Sequence, residues 1–465
     1  MSAINKNWLR PLFLTAMLAP TIVHAQSLEK AVATALDSHP DLRIALSRFK
    51  VAEEQVEQAS ASYLPTIDLT AGYGYEQTNS PATRRGINAN DGGDGEAGLK
   101  RGEFGLSLKQ ILFDGFYTSN ETSRTEFEAS SEQWSLFATA EDLALSVAQS
   151  YTSVLQSKQV LALSKKNLLS HQEIHSQIKE RTDSGLGSVA DLSQVTGRLA
   201  RANVNVISAT NNYRDSVAAF VKLVNQKPLD LIIPVPDADM VPTDRDLGLK
   251  DAIANHPVIK SADSDIKSAR FASKSAGSSI YPTITFELDA NFNNNTGGEE
   301  GINSFGVDVG GHNNSAAAML RLKYNLYSGG RNTHQKRAAA YRITEAVEIN
   351  NRAHRDVTEG YTLAWNAFEL LAIQKNYIQK HVESSKETQL AYEQQFRLGQ
   401  RSLLDLLDTE NELFEARKDF LDAEYQAINS QYRLLNATGQ LLDSLRVTRS
   451  PLWSGDREYP QGVTK

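Results

Sequence analysis

The chain has 465 residues, a formal net charge of −8 and no cysteine. Without cysteine there can be no disulfide, iron–sulfur site, thiol nucleophile or lipid carried on an N-terminal cysteine. The acidic balance and the scatter of Lys and Arg speak against a nucleic-acid partner, which needs a concentrated basic face.

The chain opens with an address. Lys6 and Arg10 precede an apolar run from Pro11 to Val23, and Val23-His24-Ala25 has the form of a cleavage site before Gln26. Residues 1–25 are expected to be an export signal peptide. No later segment approaches the roughly 18 uninterrupted apolar residues of a spanning helix. Any membrane crossing is therefore expected to use strands.

Two copies of one plan follow. Ala35-Leu36-Asp37-Ser38-His39-Pro40 has a counterpart in Ala252-Ile253-Ala254-Asn255-His256-Pro257, and Tyr63-Leu64-Pro65-Thr66-Ile67 in Ile280-Tyr281-Pro282-Thr283-Ile284. Leu112-Phe113-Asp114-Gly115 answers Leu326-Tyr327-Ser328-Gly329, and Gly185 to Leu192 answers Gly399 to Leu406. The order of these landmarks implies an internal duplication, 26–226 and 247–440.

Each copy begins with a helix, expected over Ser27 to Ser62 and Leu247 to Ser279, that Pro65 or Pro282 ends. Alternating segments come next. Ile67, Leu69, Ala71 and Tyr73 oppose Thr66, Asp68 and Thr70, and Ile284, Phe286, Leu288 and Ala290 oppose Thr283, Thr285, Glu287 and Asp289. Returning strands repeat the pattern at Phe104, Leu106 and Leu108 and at Ala318, Leu320, Leu322 and Tyr324. Two hairpins, 64–112 and 281–327, are expected, with long polar loops over Gln77 to Lys100 and Asn293 to Ser315. Strands of this kind suit a barrel wall, apolar outside and polar inside. Four are too few to close one, since an open sheet edge is not viable in lipid. Several chains would have to share the barrel.

No proline falls between Pro81 and Pro228 or between Pro282 and Pro451. Helices over 115–184 and 329–398, each roughly 105 Å long at 1.5 Å per residue, are expected. Ala140, Val147, Val154, Leu161 and Leu168 recur at heptad spacing and imply a lateral packing seam. Gly185 and Gly399 end these helices. Ser188 with Asp191, and Ser402 with Asp405, then have the form of capping boxes opening return helices over 188–225 and 402–436. A first helix and a return helix stacked end to end would match one long helix. The proline-rich segment 227–246 and the tail 441–465 are expected as a belt near the middle of such a tube.

This ordered repeat, with paired hairpins, paired long helices and two Gly-x-x-Ser-x-x-Asp-Leu turns, resembles the TolC family of outer-membrane efflux and secretion ducts from Gln26 to about Leu445. The resemblance implies a mainly α chain with a small transmembrane β part. It also implies a homotrimer with a shared twelve-stranded β-barrel, four strands per chain, and a trimeric α-helical tunnel crossing the periplasm. The duct it implies is passive. Its implied partners are a periplasmic adaptor (membrane fusion) protein, an inner-membrane ABC transporter and outer-membrane lipid, with no cofactor.

By the same resemblance, Arg401 would link to Asp191 and hold the tip shut, and Asp405 and Asp408 would form acidic rings facing the lumen. The first-copy counterpart of Asp408 is Gln194. Phe396 stands where the best-known member has tyrosine, and phenylalanine lacks the hydroxyl for its hydrogen bond. Gly185, Leu186, Gly187, Leu398, Gly399 and Gln400 are candidates for adaptor docking. The segments Gly187 to Ala200 and Asn429 to Gly439 look most like the type I secretion branch, which includes ducts for large adhesins; multidrug efflux is the alternative. An enzyme is disfavoured. His171 and His175 share a helix face, but the zinc-protease pattern needs Glu directly after the first His, and here it is displaced to Glu173.

Overall fold

The computed structural model describes residues 26–79, 96–296 and 311–463. The expected signal peptide and the tips of both strand-connecting loops lie outside them. In chain order the elements are α1 (Leu28–Ser38), α2 (Pro40–Ser60), β1 (Thr66–Asn79), β2 (Glu96–Phe113), α3 (Tyr117–Asp183) and α4 (Val189–Val224). The second half repeats them as α5 (Arg245–Asn255), α6 (Pro257–Gly277), β3 (Thr283–Thr296), β4 (Gly311–Lys323), α7 (Arg331–Arg397) and α8 (Leu403–Ala437), before a short α9 (Leu441–Ser444).

The first helix of each half is two helices rather than one. A residue before proline is pushed out of the helical region, and His39 (ψ 132°) and His256 (ψ 128°) are extended. Proline then occupies the first turn of α2 and α6, where no N–H is needed. Each histidine Nδ1 accepts a hydrogen bond two residues on, from Asp41 N and Val258 N, both at 3.3 Å. The His-Pro repeat is thus a helix break with its own cap.

The four strands form one antiparallel sheet in the order β1-β2-β3-β4. Its register aligns Ile67, Leu108, Leu288 and Ala318 in one cross-strand row, and Leu69, Leu106, Ala290 and Ala316 in the next. Residues directly opposite share a face. The rows between them, such as Asp68, Ser107, Asp289 and Ala317, form the polar face. Ion pairs lie on that face, including Arg321 with Glu287 and Arg101 with Glu76. Both outer strands, β1 and β4, have a free edge.

Each strand continues into a helix, and the helices keep the strand order. Near the sheet α2 packs on α3, α3 on α6 and α6 on α7. Farther away α4 packs on α3, α3 on α8 and α8 on α7. Serine pairs let α3 and α6 approach closely, Ser130 to Ser264 at 3.1 Å and Ser131 to Ser261 at 2.9 Å. The seam residues Ala140, Val147 and Val154 are buried, while Leu161 and Leu168 are half-buried. The long helices have 67 residues each, about 100 Å, and α1, α2 and α4, with 11, 21 and 36 residues, match that length. They start at Tyr117 and Arg331 because Gly115, Phe116, Gly329 and Gly330 all adopt positive φ.

The linker and tail lie against the part of α3 between Gln133 and Tyr151. The Tyr151 hydroxyl donates to the Gln26 carbonyl at 2.7 Å and accepts from Ile232 N at 3.0 Å. Gln133 donates to the Trp453 carbonyl and accepts from Val463 N, each at 2.9 Å. Glu141, buried in α3, accepts from Leu441 N at 3.0 Å and Leu442 N at 3.3 Å. Burial pushes its carboxyl up to about 8.

Candidate functional site at the helix-turn tips

Far from the sheet, each half turns on a glycine. Gly185 and Gly399 have φ +75°. Leu186 N then reaches the Arg181 carbonyl at 2.9 Å, and Gln400 N the Gln395 carbonyl at 2.8 Å. This left-handed closure satisfies the last helical carbonyls, and only glycine adopts it without strain.

The two restarts differ. Ser402 and Asp405 form the reciprocal box, with Asp405 N to Ser402 Oγ at 3.2 Å and Ser402 N to Asp405 Oδ2 at 3.3 Å. Ser188 Oγ instead accepts from Ala190 N at 3.1 Å, and Asp191 closes no box. The expected pair of boxes is therefore a single one.

An apolar cluster ties the four helix ends together. Ile178, Val195, Leu403 and Leu407 are buried, with Ile174, Leu192 and Phe396 against them. The Phe396 ring, which cannot hydrogen-bond, lies under the Arg181 guanidinium at 5.7 Å, a cation–π contact.

The link between Arg401 and Asp191 is not made within the chain. Arg401 already has local partners: its Nε donates to Gln395 Oε1 at 2.9 Å, it lies 3.9 Å from Asp405, and its guanidinium stacks 4.2 Å from the Tyr392 ring. The two carboxylates expected to face a lumen are both engaged, Asp405 in its box and Asp408 by Arg198 Nη2 at 2.7 Å. Sequence reasoning missed Arg198. The available signal was that it is the first basic residue of α4, two turns past the tip.

Gly185, Leu186, Leu398, Gly399 and Gln400 are exposed and Gly187 is half-exposed, with Leu186 at 85 % and Leu398 at 72 %. His171 and His175 take separate partners, the Asn167 carbonyl at 2.9 Å and Thr196 Oγ1 at 3.2 Å. Among the described residues no group of His, Asp and Glu is placed to hold a metal ion. Behind the tip, burial raises the Glu410 carboxyl, which accepts from Gln389 at 2.5 Å.

A four-stranded sheet with one apolar face, continued by helices of about 100 Å, defines a membrane-anchored trans-periplasmic channel subunit. The model of the outer membrane efflux protein family matches the chain twice, over residues 31–226 and 248–440, once per half. The chain belongs to that family, whose members are outer-membrane channels rather than enzymes, and it resides in the outer membrane and extends into the periplasm.

Among curated relatives, the outer membrane efflux protein BepC of Brucella suis is 24% identical over 84% of this chain and 80% of its own. The outer membrane protein TolC of Vibrio cholerae is 24% identical over 88% and 90%. Among solved structures, the Campylobacter jejuni CmeC outer membrane channel superposes with a TM-score of 0.75 at 17% identity, covering 89% of this chain and 86% of that one.

Proposed function

We propose that three copies of this chain close into a twelve-stranded barrel and a twelve-helix tunnel, a passive duct from the periplasm to the exterior. The observation that carries this reading is the coincidence of free edges. The sheet is open at β1 and β4, and the helical layer is open at α2 or α4 on one side and α7 on the other. An unpaired strand edge is not viable in lipid, so the sheet needs neighbours. The same helices expose apolar side chains, Ile44 and Val51 on α2, Val204 and Ile207 on α4, and Ile349, Leu370 and Tyr377 on α7. Exposed apolar faces of this extent mark an interface.

At the tip, Arg401 and Asp191 are assigned to contacts between copies, and Asp405 with Asp408 to acidic rings that attract cations. The in-chain bond from Arg198 means that a full ring charge at Asp408 develops only when the tip loosens. Gly185, Leu186, Gly187, Leu398, Gly399 and Gln400 are assigned to docking a periplasmic adaptor, and the exposed Leu186 and Leu398 supply its apolar contacts.

The cargo reading is type I secretion of large proteins such as adhesins, driven by an inner-membrane ABC transporter. It rests on the resemblance of the return segments Gly187 to Ala200 and Asn429 to Gly439. A second reading, multidrug efflux, is favoured by the names of relatives such as BepC and the toluene efflux pump protein TtgC of Pseudomonas putida. Deleting the protein and comparing secreted large proteins with drug susceptibility tests the choice. Loss of the secreted proteins supports secretion; an intact set of secreted proteins with heightened drug sensitivity overturns it.

A further inference from the structure

The duplication makes one helix junction inside the chain a template for the junction between copies. Near the sheet, the second half meets the first where α6 packs on α3. In a closed ring of three copies, the reading on which this inference rests, the next copy's first half meets the second half in the same way, with its α2 on α7. Pro40 matches Pro257, so α2 corresponds to α6, both of 21 residues. Gly115 matches Gly329, so α3 corresponds to α7, both of 67 residues.

Four contacts define the template. Ser130 meets Ser264 at 3.1 Å, Ser131 meets Ser261 at 2.9 Å, the Lys260 ammonium lies 4.5 Å from the Trp134 ring, and Phe127 stacks on Phe271 at 5.6 Å. The corresponding residues on the open edges are Ser47 with Thr344, Ile44 with Glu345, Arg43 with Glu348 and Glu54 with Tyr341. Arg48 lies one turn beyond Ile44, and Arg337 one turn before Tyr341. All of these side chains are exposed in the single chain.

Charge distinguishes the two junctions. Read towards the sheet, α2 presents Arg43, Arg48 and Glu54, and α7 read the same way presents Glu348, Glu345 and Arg337. The signs oppose at every level. At the equivalent positions α3 carries Trp134, Ser131 and Ser123, so the helix itself needs no charge there. Lys50 and Glu57 of α2 are already paired, with Glu53, Asp456 and Arg457, whereas among the described residues the six charges facing the junction are in no ion pair. Arg43 donates to the Asp37 carbonyl at 3.1 Å and Glu348 accepts from Asn351 at 3.3 Å, contacts that leave both charges unneutralised. Arg342 stands apart, since its counterpart Glu128 lines the groove between α3 and α2, which places Arg342 on the α6 side of α7.

We propose that Arg43 with Glu348, Arg48 with Glu345 and Glu54 with Arg337 form ion pairs between neighbouring copies. Complementary charge across an interface fixes register and penalises wrong partners more than it adds affinity. The apolar groove of this edge, lined by Ile44 and Val51, supplies adhesion without a preferred position. The three pairs supply the position, holding α2 at one height on α7 and selecting a second copy of this chain as the neighbour.

The test uses the full chain purified in detergent, whose natural sequence has no cysteine to interfere. S47C combined with T344C is expected to oxidise into three covalently joined chains on a denaturing gel, because the template oxygens at these positions lie 3.1 Å apart. S47C with N351C, two turns out of register, is expected to stay single. Native mass spectrometry then reads the charges. R43E and E348R are each expected to raise subunit dissociation about ten-fold, and the exchange of both, R43E with E348R, to restore it close to wild type. Cross-linking only in the shifted pair, single reversals without effect, or an exchange that fails to rescue overturns the proposed pairing while the wild type remains a trimer. A wild type that stays a single chain overturns the duct reading itself.

Discussion

Arg198 Nη2 donates to the Asp408 carboxylate at 2.7 Å, tying the return helix of the first half to that of the second just behind the tip. Both side chains reach solvent, so the bond is worth at most about 1 kcal/mol. Its position matters more than its strength, because it joins α4 to α8 beside the apolar cluster of Val195 with Leu403 and Leu407 that also holds them together. Arg198→Ala and Asp408→Asn are each expected to raise single-channel conductance several-fold, and the double variant to add little to either. Strictly additive effects would show that the pair does not act as one latch.

The apolar cluster beneath that bond is the second restraint. Leu407 is fully buried among Ile178, Val195 and Leu403. Leu407→Ala is expected to cost about 2–5 kcal/mol locally. The readout is hydrogen exchange: amides of α4 and α8 near the tip should exchange faster, while those beside Gln133 keep their protection. Uniform loss of protection along the chain would contradict a local role.

At the belt, Glu141 makes stability depend on pH. Its folded value, about 8, lies above the ordinary 4.5, first because of burial and then because of the nearby Asp443, against which Arg449 and the two amides from Leu441 and Leu442 act. A folded state that holds its proton while the unfolded state has lost it becomes less stable as pH rises. That contribution is intact below about pH 4.5 and is lost progressively up to about pH 8, on the order of 5 kcal/mol in all. Glu141→Gln is expected to flatten this slope and to raise the melting temperature at pH 8.5 relative to wild type. An unchanged slope would remove Glu141 as its source.

The turns carry a backbone requirement. Gly399→Ala places a side chain at φ +75° and is expected to cost about 1–2 kcal/mol. Denaturant titration should register that loss, and Gly277→Ala, at a position with negative φ and open space, should not.

What the sequence revealed was what local rules encode. The proline-free stretches and their closing glycines located α3 and α7 to within two residues, and alternation located all four strands but not their polar ends: Gln77 to Asn79, Glu96 to Lys100, Asn293 to Thr296 and Gly311 to Ser315, expected as loop, are strand, because backbone pairing across the hairpins continues past the last apolar residue. The His-Pro breaks were visible as a repeat but were read through, because a helical pattern continues on both sides of them. Ser188 and Ser402 show the limit of a motif: the same spelling closes a reciprocal box at Asp405 and not at Asp191. The Arg198–Asp408 bond spans 210 residues of sequence, and no local spacing rule reaches that far. Arg401 was expected to link to Asp191, whereas within the chain Tyr392, Gln395 and Asp405 around the same turn hold it.

The claim on which the rest depends is that this chain assembles into a closed duct. Purified protein inserted in a planar bilayer tests it directly. Discrete, long-lived conductance steps, small in the wild type and larger in Arg198→Ala, are expected. A protein that inserts but never conducts, in either form, would contradict it.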